Sequence, residues 1–294
     1  MSSPVEIRAL RPGEAVKVLP SLNEEFIFQR GRRLPLEKRY PGVFSPENAE
    51  NCFAAVAENG EILSFAATEA RELRKCALKV FFTGCVFTVP AARGTGLAGK
   101  VLSFAAETCR ARGFAAGYLW TRLNAFYERF GWKTSDRSVL MTLRGVGGGD
   151  RKAALPFSGR DADVLARKHE ALLIRRAEDY FKIPPPADEP VRLKTAGGGY
   201  LCGGIGQTAG YVYELCTENA EELGRLLSSF AGFCGANKAI WINLQPEQQR
   251  EIALLEEQFP DAEITAPALQ MNLIFAEEHR ELLDSLNIPY LDRI

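Results

Sequence analysis

The chain has 294 residues, 46% of them hydrophobic and 25% charged, with 36 Lys and Arg nearly balanced by 37 Asp and Glu. That length and apolar content supply cores for two domains of ordinary size, while basic residues that are dispersed, without interleaved aromatics, exclude a nucleic-acid-binding stripe. No run approaches the roughly 18 apolar residues of a membrane span, and Met1–Glu6 lacks the basic-then-apolar pattern of a secretory signal, so no membrane association and a cytoplasmic location are expected.

Apolar runs predict strands at Val5 to Ala9, Cys52 to Glu58, Glu61 to Thr68, Lys79 to Val89, Ala115 to Trp120 and Ser138 to Leu143, with helical segments between them. Asn59-Gly60 predicts a two-residue hairpin turn. Leu97, Val101, Phe104, Ala105 and Cys109 recur at helical spacing, giving a helix with one face on the sheet, and Gly113 ends it. Gly145-Val-Gly-Gly-Gly149 reads as a flexible connection and places a domain boundary there, dividing the chain into 1–145 and 146–294. A helical stretch follows from about Arg160 to Tyr180, closed by Pro184-Pro-Pro186.

The remainder aligns faintly with the first half. Gly199-Tyr-Leu-Cys-Gly-Gly-Ile205 lies beside Glu61-Ile-Leu-Ser-Phe65, and Gly210-Tyr-Val-Tyr-Glu-Leu-Cys216 beside Cys85-Val-Phe-Thr-Val89. A helix from Ala220 to Phe233 and a strand from Lys238 to Leu244 complete the order strand, strand, helix, strand in both halves. The fold class expected is therefore α/β, with a mixed sheet flanked by helices in each half; an unrelated α/β domain is the alternative for 146–294.

Charge is split between the halves: residues 1–150 carry 21 Lys and Arg against 15 Asp and Glu, and residues 151–294 carry 15 against 22. The basic half suits a polyanionic ligand, and the acidic half a cationic partner. The seven cysteines, at 52, 76, 85, 109, 202, 216 and 234, form no C-x-x-C pair and read as buried thiols of a reducing compartment. The only two histidines, His169 and His279, leave zinc clusters and His-based triads without material, so no metal is expected.

Val86-Phe-Thr-Val-Pro-Ala-Ala-Arg93-Gly94-Thr-Gly96-Leu-Ala98-Gly99-Lys-Val-Leu102 runs from an apolar strand through a glycine-rich turn into a helix. Glycines let the backbone approach a ligand, and the free N–H groups of a helix start attract anions, so this segment reads as a phosphate cradle to which Arg93 adds charge. A tight structural turn is the plain alternative. As a string, Gly94 to Gly99 satisfies the dinucleotide fingerprint, but Pro90-Ala-Ala-Arg93 separates it from its strand and the next strand ends in Thr121-Arg122 with no acid; Arg122 keeps an NADP reading open. Gly94 to Lys100 spells most of a nucleotide-triphosphate loop, but Val101 stands where a hydroxyl should bind Mg²⁺.

Arg93-x-x-Gly96-x-Ala98, preceded by Val89-Pro90, resembles the acyl-CoA-binding segment of the GNAT acetyltransferases. Asn124-Ala-Phe-Tyr127-Glu-Arg-Phe-Gly131-Trp132 resembles the second segment of that family at the expected spacing. The resemblance covers about Glu6 to Arg144 and extends, through the faint repeat, to a tandem arrangement of two GNAT-like domains, each a mixed, mostly antiparallel sheet. The second copy is degenerate, because Thr217-Glu-Asn-Ala-Glu-Glu222 replaces the phosphate loop and its acids repel a pyrophosphate.

The resemblance implies direct acetyl transfer from acetyl-CoA, as co-substrate, to a small-molecule or peptide amine acceptor. It implies cofactor contacts from Arg93, Gly94, Thr95, Gly96, Leu97 and Ala98, a backbone donor for the thioester oxygen from Phe87, Thr88 or Val89, and Tyr127 as the acid that protonates the departing thiolate. Core packing of Tyr127 against Phe126 or Phe130 is the plain alternative. Asn124 is expected to cap its helix and, by resemblance, to touch the cofactor. Glu24, Glu25 and Glu69 are candidate bases without an assignment. A non-catalytic acyl-CoA sensor is the competing function, and oligomeric state stays open.

Overall fold

The computed structural model describes residues 4–74, 76–146, 149–168, 173, 175–235 and 238–294. The chain opens with β1 (Val5–Ala9), α1 (Ala15–Phe26) and the short α2 (Leu36–Arg39). An antiparallel meander follows, β2 (Cys52–Ala57), β3 (Ile62–Leu73) and β4 (Leu78–Thr88). Its first turn falls at the expected place but is one residue longer than the two-residue turn predicted: the Gly60 N–H donates to the Ala57 carbonyl at 2.8 Å and the Ala57 N–H to the Glu61 carbonyl at 2.9 Å, so Glu58, Asn59 and Gly60 form the loop, with Gly60 at φ +82° and Asn59 Oδ1 accepting the Glu61 N–H.

Next come α3 (Leu97–Ala111), β5 (Ala116–Trp120), α4 (Asn124–Glu128) and β6 (Lys133–Thr134). β4 and β5 pair in parallel only from Val80↔Ala116 to Thr83↔Leu119, and Cys85, at φ +53°, breaks the regular course of β4 just beyond. The two strands therefore part where the glycine-rich loop begins.

The second half holds β8 (Leu155–Pro156), α5 (Gly159–Lys168), β9 (Glu189–Lys194), β10 (Tyr200–Ile205), β11 (Ala209–Cys216), α6 (Ala220–Cys234), β12 (Ala239–Leu244), α7 (Gln249–Gln258) and β13 (Glu263–Thr265). The helix expected from Arg160 to Tyr180 is instead α5 followed by a 3₁₀ turn at Ala177–Phe181, and His169, between them, lies outside the described residues. The faint repeat holds in space: β10 and β11 occupy the sheet positions of β3 and β4, and β11 pairs in parallel with β12 as β4 does with β5.

Two strands depart from the expected division. Val139–Leu143 (β7) joins the second sheet, between β12 and β13, and Gln270–Ile274 (β14), ahead of the final helix α8 (Arg280–Ser285), lies between β5 and β6 in the first. The sheet orders are β1-β2-β3-β4-β5-β14-β6 and β13-β7-β12-β11-β10-β9-β8, the same pattern with the sixth strand exchanged. A boundary at 145/146 therefore does not sort the strands by sheet. Both exchanged segments are five-residue strands that pair antiparallel with their neighbours, so length and direction alone do not choose between the two slots.

The exchange carries each half's core into the other. Met271 of β14 is buried with Leu97, Val101 and Ala105 of α3, and Met141 of β7 with Leu223, Leu226 and Phe230 of α6. Between the sheets lies a buried ionic network. Arg175 holds Glu214 at 2.9 and 3.1 Å and Asp292 at 2.6 Å, while Arg71 of β3 holds Asp179.

Candidate active site

The glycine-rich segment builds the mouth of a cleft. After β4, Pro90–Ala92 form a 3₁₀ turn, Gly94 and Gly96 take φ +78° and +81°, and Thr95 Oγ1 donates to the Ala92 carbonyl at 2.6 Å. These left-handed angles are the reason for glycine at both positions. Gly96 is the N-cap of α3 and has no side-chain cap, so the first-turn N–H groups of a 15-residue helix face outward with the positive end of its dipole.

The cleft beside this helix start has a volume of about 920 Å³. Thr88, Arg93, Gly94, Gly96, Leu97 and Ala98 line it, which brings together six of the residues expected from the sequence. Its floor and rim include Phe104, Phe126, Phe130, Lys100 and Arg129, which sequence reasoning did not select. The Arg129 guanidinium lies 5.1 Å from the Phe126 ring centroid and 5.9 Å from that of Phe130. One signal was available: Arg129 falls two residues after Tyr127, and Lys100 one turn into α3.

Gly99 explains the third glycine of the loop. A Cβ there would lie 2.6 Å from Phe130 Cζ, so the position is open to let the segment after α4 pack against α3 and floor the cleft. Arg93 is less free than its charge suggests. Its Nε donates to the Thr88 carbonyl at 3.1 Å and its Nη2 pairs with Glu25 at 2.9 Å, tying the loop to α1.

At the end of β4 the backbone has one donor to spare. Val89 N–H is taken by the Leu63 carbonyl at 2.9 Å, and the alternation of a strand then turns the Thr88 N–H to the opposite side, where β5 has already departed. The Phe87 carbonyl and Thr88 hydroxyl are both held by Ser64, at 2.9 Å each.

Tyr127 in α4 is 8% exposed and packs edge-on against Phe126 at 4.9 Å, so the packing role weighed from sequence is present. Among the described residues its hydroxyl has no hydrogen-bond partner, and burial pushes its pKa up to about 12, aided by the nearby Cys85. The phenol therefore stays protonated at neutral pH.

Asn124 does not cap α4. It is the first helical residue, after Leu123 at the N-cap, and its Nδ2 donates to Thr134 Oγ1 at 2.8 Å and to the Ala268 carbonyl at 3.3 Å. Its amide thus fastens α4 to β6 and to the approach of β14. Of the base candidates, Glu24 is exposed, Glu25 pairs with Arg93, and Glu69 is buried against Arg71 at 3.0 Å and Lys182 at 3.6 Å.

The equivalent place in the second half is filled from within. Glu222, in the first turn of α6, accepts from the Thr195 hydroxyl at 2.6 Å and from the N–H groups of Gly199 and Glu218 at 3.4 Å each. A Cβ on Gly197 would lie 2.3 Å from its Oε1. A carboxylate of the chain sits where an incoming anion would have to bind. Among the described residues no group of His, Cys, Asp or Glu is placed to hold a metal ion, and no helix is long and apolar enough to cross a membrane.

Residues 48–134, which span β2 to β6 and the whole loop–helix unit, match the family model described as an acetyltransferase (GNAT) domain, so the chain carries a GNAT acetyltransferase domain. No curated protein sequence matches the chain. Among solved structures, a GCN5-related N-acetyltransferase from Kribbella flavida is 13% identical, with 93% of this chain and 71% of that one covered at a TM-score of 0.66. A probable N-acyltransferase from Enterococcus faecalis is 12% identical over 95% and 74% of the two chains (TM-score 0.65), and Eis1 from Mycobacterium abscessus 13% identical over 94% and 75% (TM-score 0.58). These likenesses extend over both sheets and show a shared two-sheet fold.

Proposed function

We propose that the protein is an N-acetyltransferase in which the first half binds acetyl-CoA and catalyses direct transfer to an amine, with Tyr127 as general acid. The observation that carries this reading is the uncapped start of α3, flanked by two left-handed glycines and opening on a cleft of about 920 Å³ with a phenylalanine floor and cationic rim. The N–H groups from Gly96 onward suit a pyrophosphate, and Lys100 and Arg129 suit the remaining phosphate charge. The apolar floor suits the thin, largely uncharged arm of the cofactor.

Bound acetyl-CoA supplies the acyl group as an activated thioester. The Thr88 N–H faces the gap between β4 and β5, where it donates to the carbonyl oxygen as negative charge develops on it. The incoming amine forms the C–N bond, the C–S bond breaks, and Tyr127 gives its hydroxyl proton to the departing sulfur, whose thiol has a pKa of about 8.5. The proton lost by the amine passes to solvent, and solvent returns a proton to the Tyr127 phenolate, whose raised pKa draws it back at once. The second half supplies no second transfer site, a reading supported by Glu222 at the start of α6.

The test is the melting temperature with and without saturating acetyl-CoA, followed by thiol release on addition of amines. Ligand at about a hundred times Kd adds roughly 2.7 kcal/mol of stability, a readily measured shift. The shift is expected to vanish in the Lys100→Glu/Arg129→Glu double variant. No shift in the unaltered protein overturns the reading, and a shift without turnover for any amine leaves the sensor function instead.

A further inference from the structure

The cleft at the start of α3 continues past the phosphate loop along one face of the helix. Lys100, Phe104 and Glu107 stand at i, i+4 and i+7, so they form a single stripe, and all three line the cleft. Ile7 of β1 and Ala92 of the 3₁₀ turn line it as well. Like the Phe104 ring, they are only partly buried against the core beneath α3, so apolar surface is left open there. The fully buried Phe53 steadies the Phe104 ring, edge to face at a centroid distance of 6.0 Å.

Phosphate binding does not account for Glu107. Among the described residues that line the cleft it carries the one carboxylate, and a carboxylate repels the phosphates that the helix start, Lys100 and Arg129 suit. Nor does it serve an ion pair. Among the described residues Lys100, Glu107 and Arg129 form none, the Arg129 Nε donating instead to the Phe126 carbonyl at 3.4 Å. Glu107 lies about 10 Å further along the helix axis than Lys100. That is about one Debye length at physiological salt, so its repulsion of a phosphate held at the helix start is slight. At that remove its carboxylate is an acceptor for an uncharged N–H donor.

Along the stripe the order is cation, aromatic ring, acceptor. An adenosine phosphate presents phosphate, base plane and exocyclic amino group in the same order over a comparable length. We propose that Phe104 and Glu107 form a purine site, in which the base lies against the Phe104 ring and the Glu107 carboxylate accepts from the 6-amino group. The inference rests on the N-acetyltransferase reading above and adds a specificity to it. The acyl donor is chosen by its nucleobase as well as by its phosphates, so the protein takes free acyl-CoA and discriminates against acyl phosphopantetheine and against donors with another base. Phe126 and Phe130, on the flank of α3 where Gly99 meets Phe130, are left for the pantetheine arm.

The test uses the full chain and titration calorimetry with three ligands: acetyl-CoA, its deaminated analogue with a 6-oxopurine in place of adenine, and S-acetyl-4′-phosphopantetheine. In the analogue an oxygen acceptor replaces the amino donor and faces the carboxylate. The dissociation constant should therefore rise at least about tenfold, the loss of one charge-assisted hydrogen bond. Glu107→Ala, at an exposed position that leaves the fold intact, should weaken acetyl-CoA about tenfold and bring the two purines within about twofold of each other. Glu107→Gln, whose amide both donates and accepts, should also bind the two purines within about twofold. S-acetyl-4′-phosphopantetheine, which has no base, should bind the unaltered protein and Glu107→Ala alike. Equal affinity of the unaltered protein for the two purines, or a preference undiminished in Glu107→Ala, overturns the proposal and leaves the transferase reading standing. No binding of acetyl-CoA to the unaltered protein is a separate result and removes the transferase reading itself, and the purine site with it.

Discussion

Asp136 accepts the backbone N–H of Leu269 at 2.7 Å although 133 residues separate them in the chain. The same carboxylate accepts the Gln270 N–H at 3.1 Å and, through its other oxygen, the N–H and hydroxyl of Ser138. It thus sits where β7 leaves for the second sheet and β14 enters the first. Replacement by Ala strands these donors and should cost about 2–4 kcal/mol, read from the urea midpoint. A fragment ending at residue 145 loses β14 and should lack a cooperative transition.

The buried pair of Arg71 and Asp179, joined at 2.8 and 3.1 Å, gives a second stability test. Asp179→Ala leaves Arg71 and Lys182 short of a counter-charge and should cost about 3–5 kcal/mol. Burial tends to raise the Asp179 carboxyl, but Lys182 and Arg71 prevail and hold it below its ordinary value. A depressed folded pKa contributes stability above the unfolded value of about 3.9 and loses it as pH falls through the folded pKa. Stability should therefore decline below about pH 4, and less steeply in Asp179→Asn.

Tyr127→Phe should lower kcat about a hundredfold while leaving the acetyl-CoA dissociation constant within about twofold, since the hydroxyl acts on the departing sulfur. With the phenol pushed up to about 12, Tyr127 remains an acid throughout the accessible range. Any basic limb in the pH–rate profile below about pH 10 belongs to another group and should persist in the variant. Equal kcat in the two proteins would return Tyr127 to a packing role.

Gly96→Ala separates backbone geometry from bulk, because nothing lies within 4 Å of a Cβ there and only the φ of +81° is opposed. The substitution should cost about 1–2 kcal/mol and, by moving the first N–H groups of α3, shrink the acetyl-CoA melting shift. A full shift in this variant would show that the helix start does not bind the cofactor.

Titration calorimetry should give one acetyl-CoA per chain, and Glu222→Ala should not add a second. That variant removes an acceptor from Thr195, Gly199 and Glu218 and should lose about 1–3 kcal/mol of stability instead. Two equivalents per chain in the unaltered protein would refute the reading of the second half as non-binding.

Local chemistry was legible in the amino-acid order. The glycine spacing from Gly94 to Gly99 announced the loop, the apolar period of Leu97, Val101, Ala105 and Cys109 the helix behind it, and Asn59-Gly60 the hairpin. The faint likeness of 199–216 to 61–89 announced two sheets of one pattern. Each of these depends on residues a few positions apart, where propensity and periodicity act directly. The sheet in which Val139–Leu143 pairs and the filling of the second helix start by Glu222 depend on partners tens to hundreds of residues away. Nothing in a five-residue strand states which of two similar slots it enters, and a charge does not show whether it is paired. Tertiary structure decided these by fixing which strand edges each segment met and which donors the Glu222 carboxylate engaged.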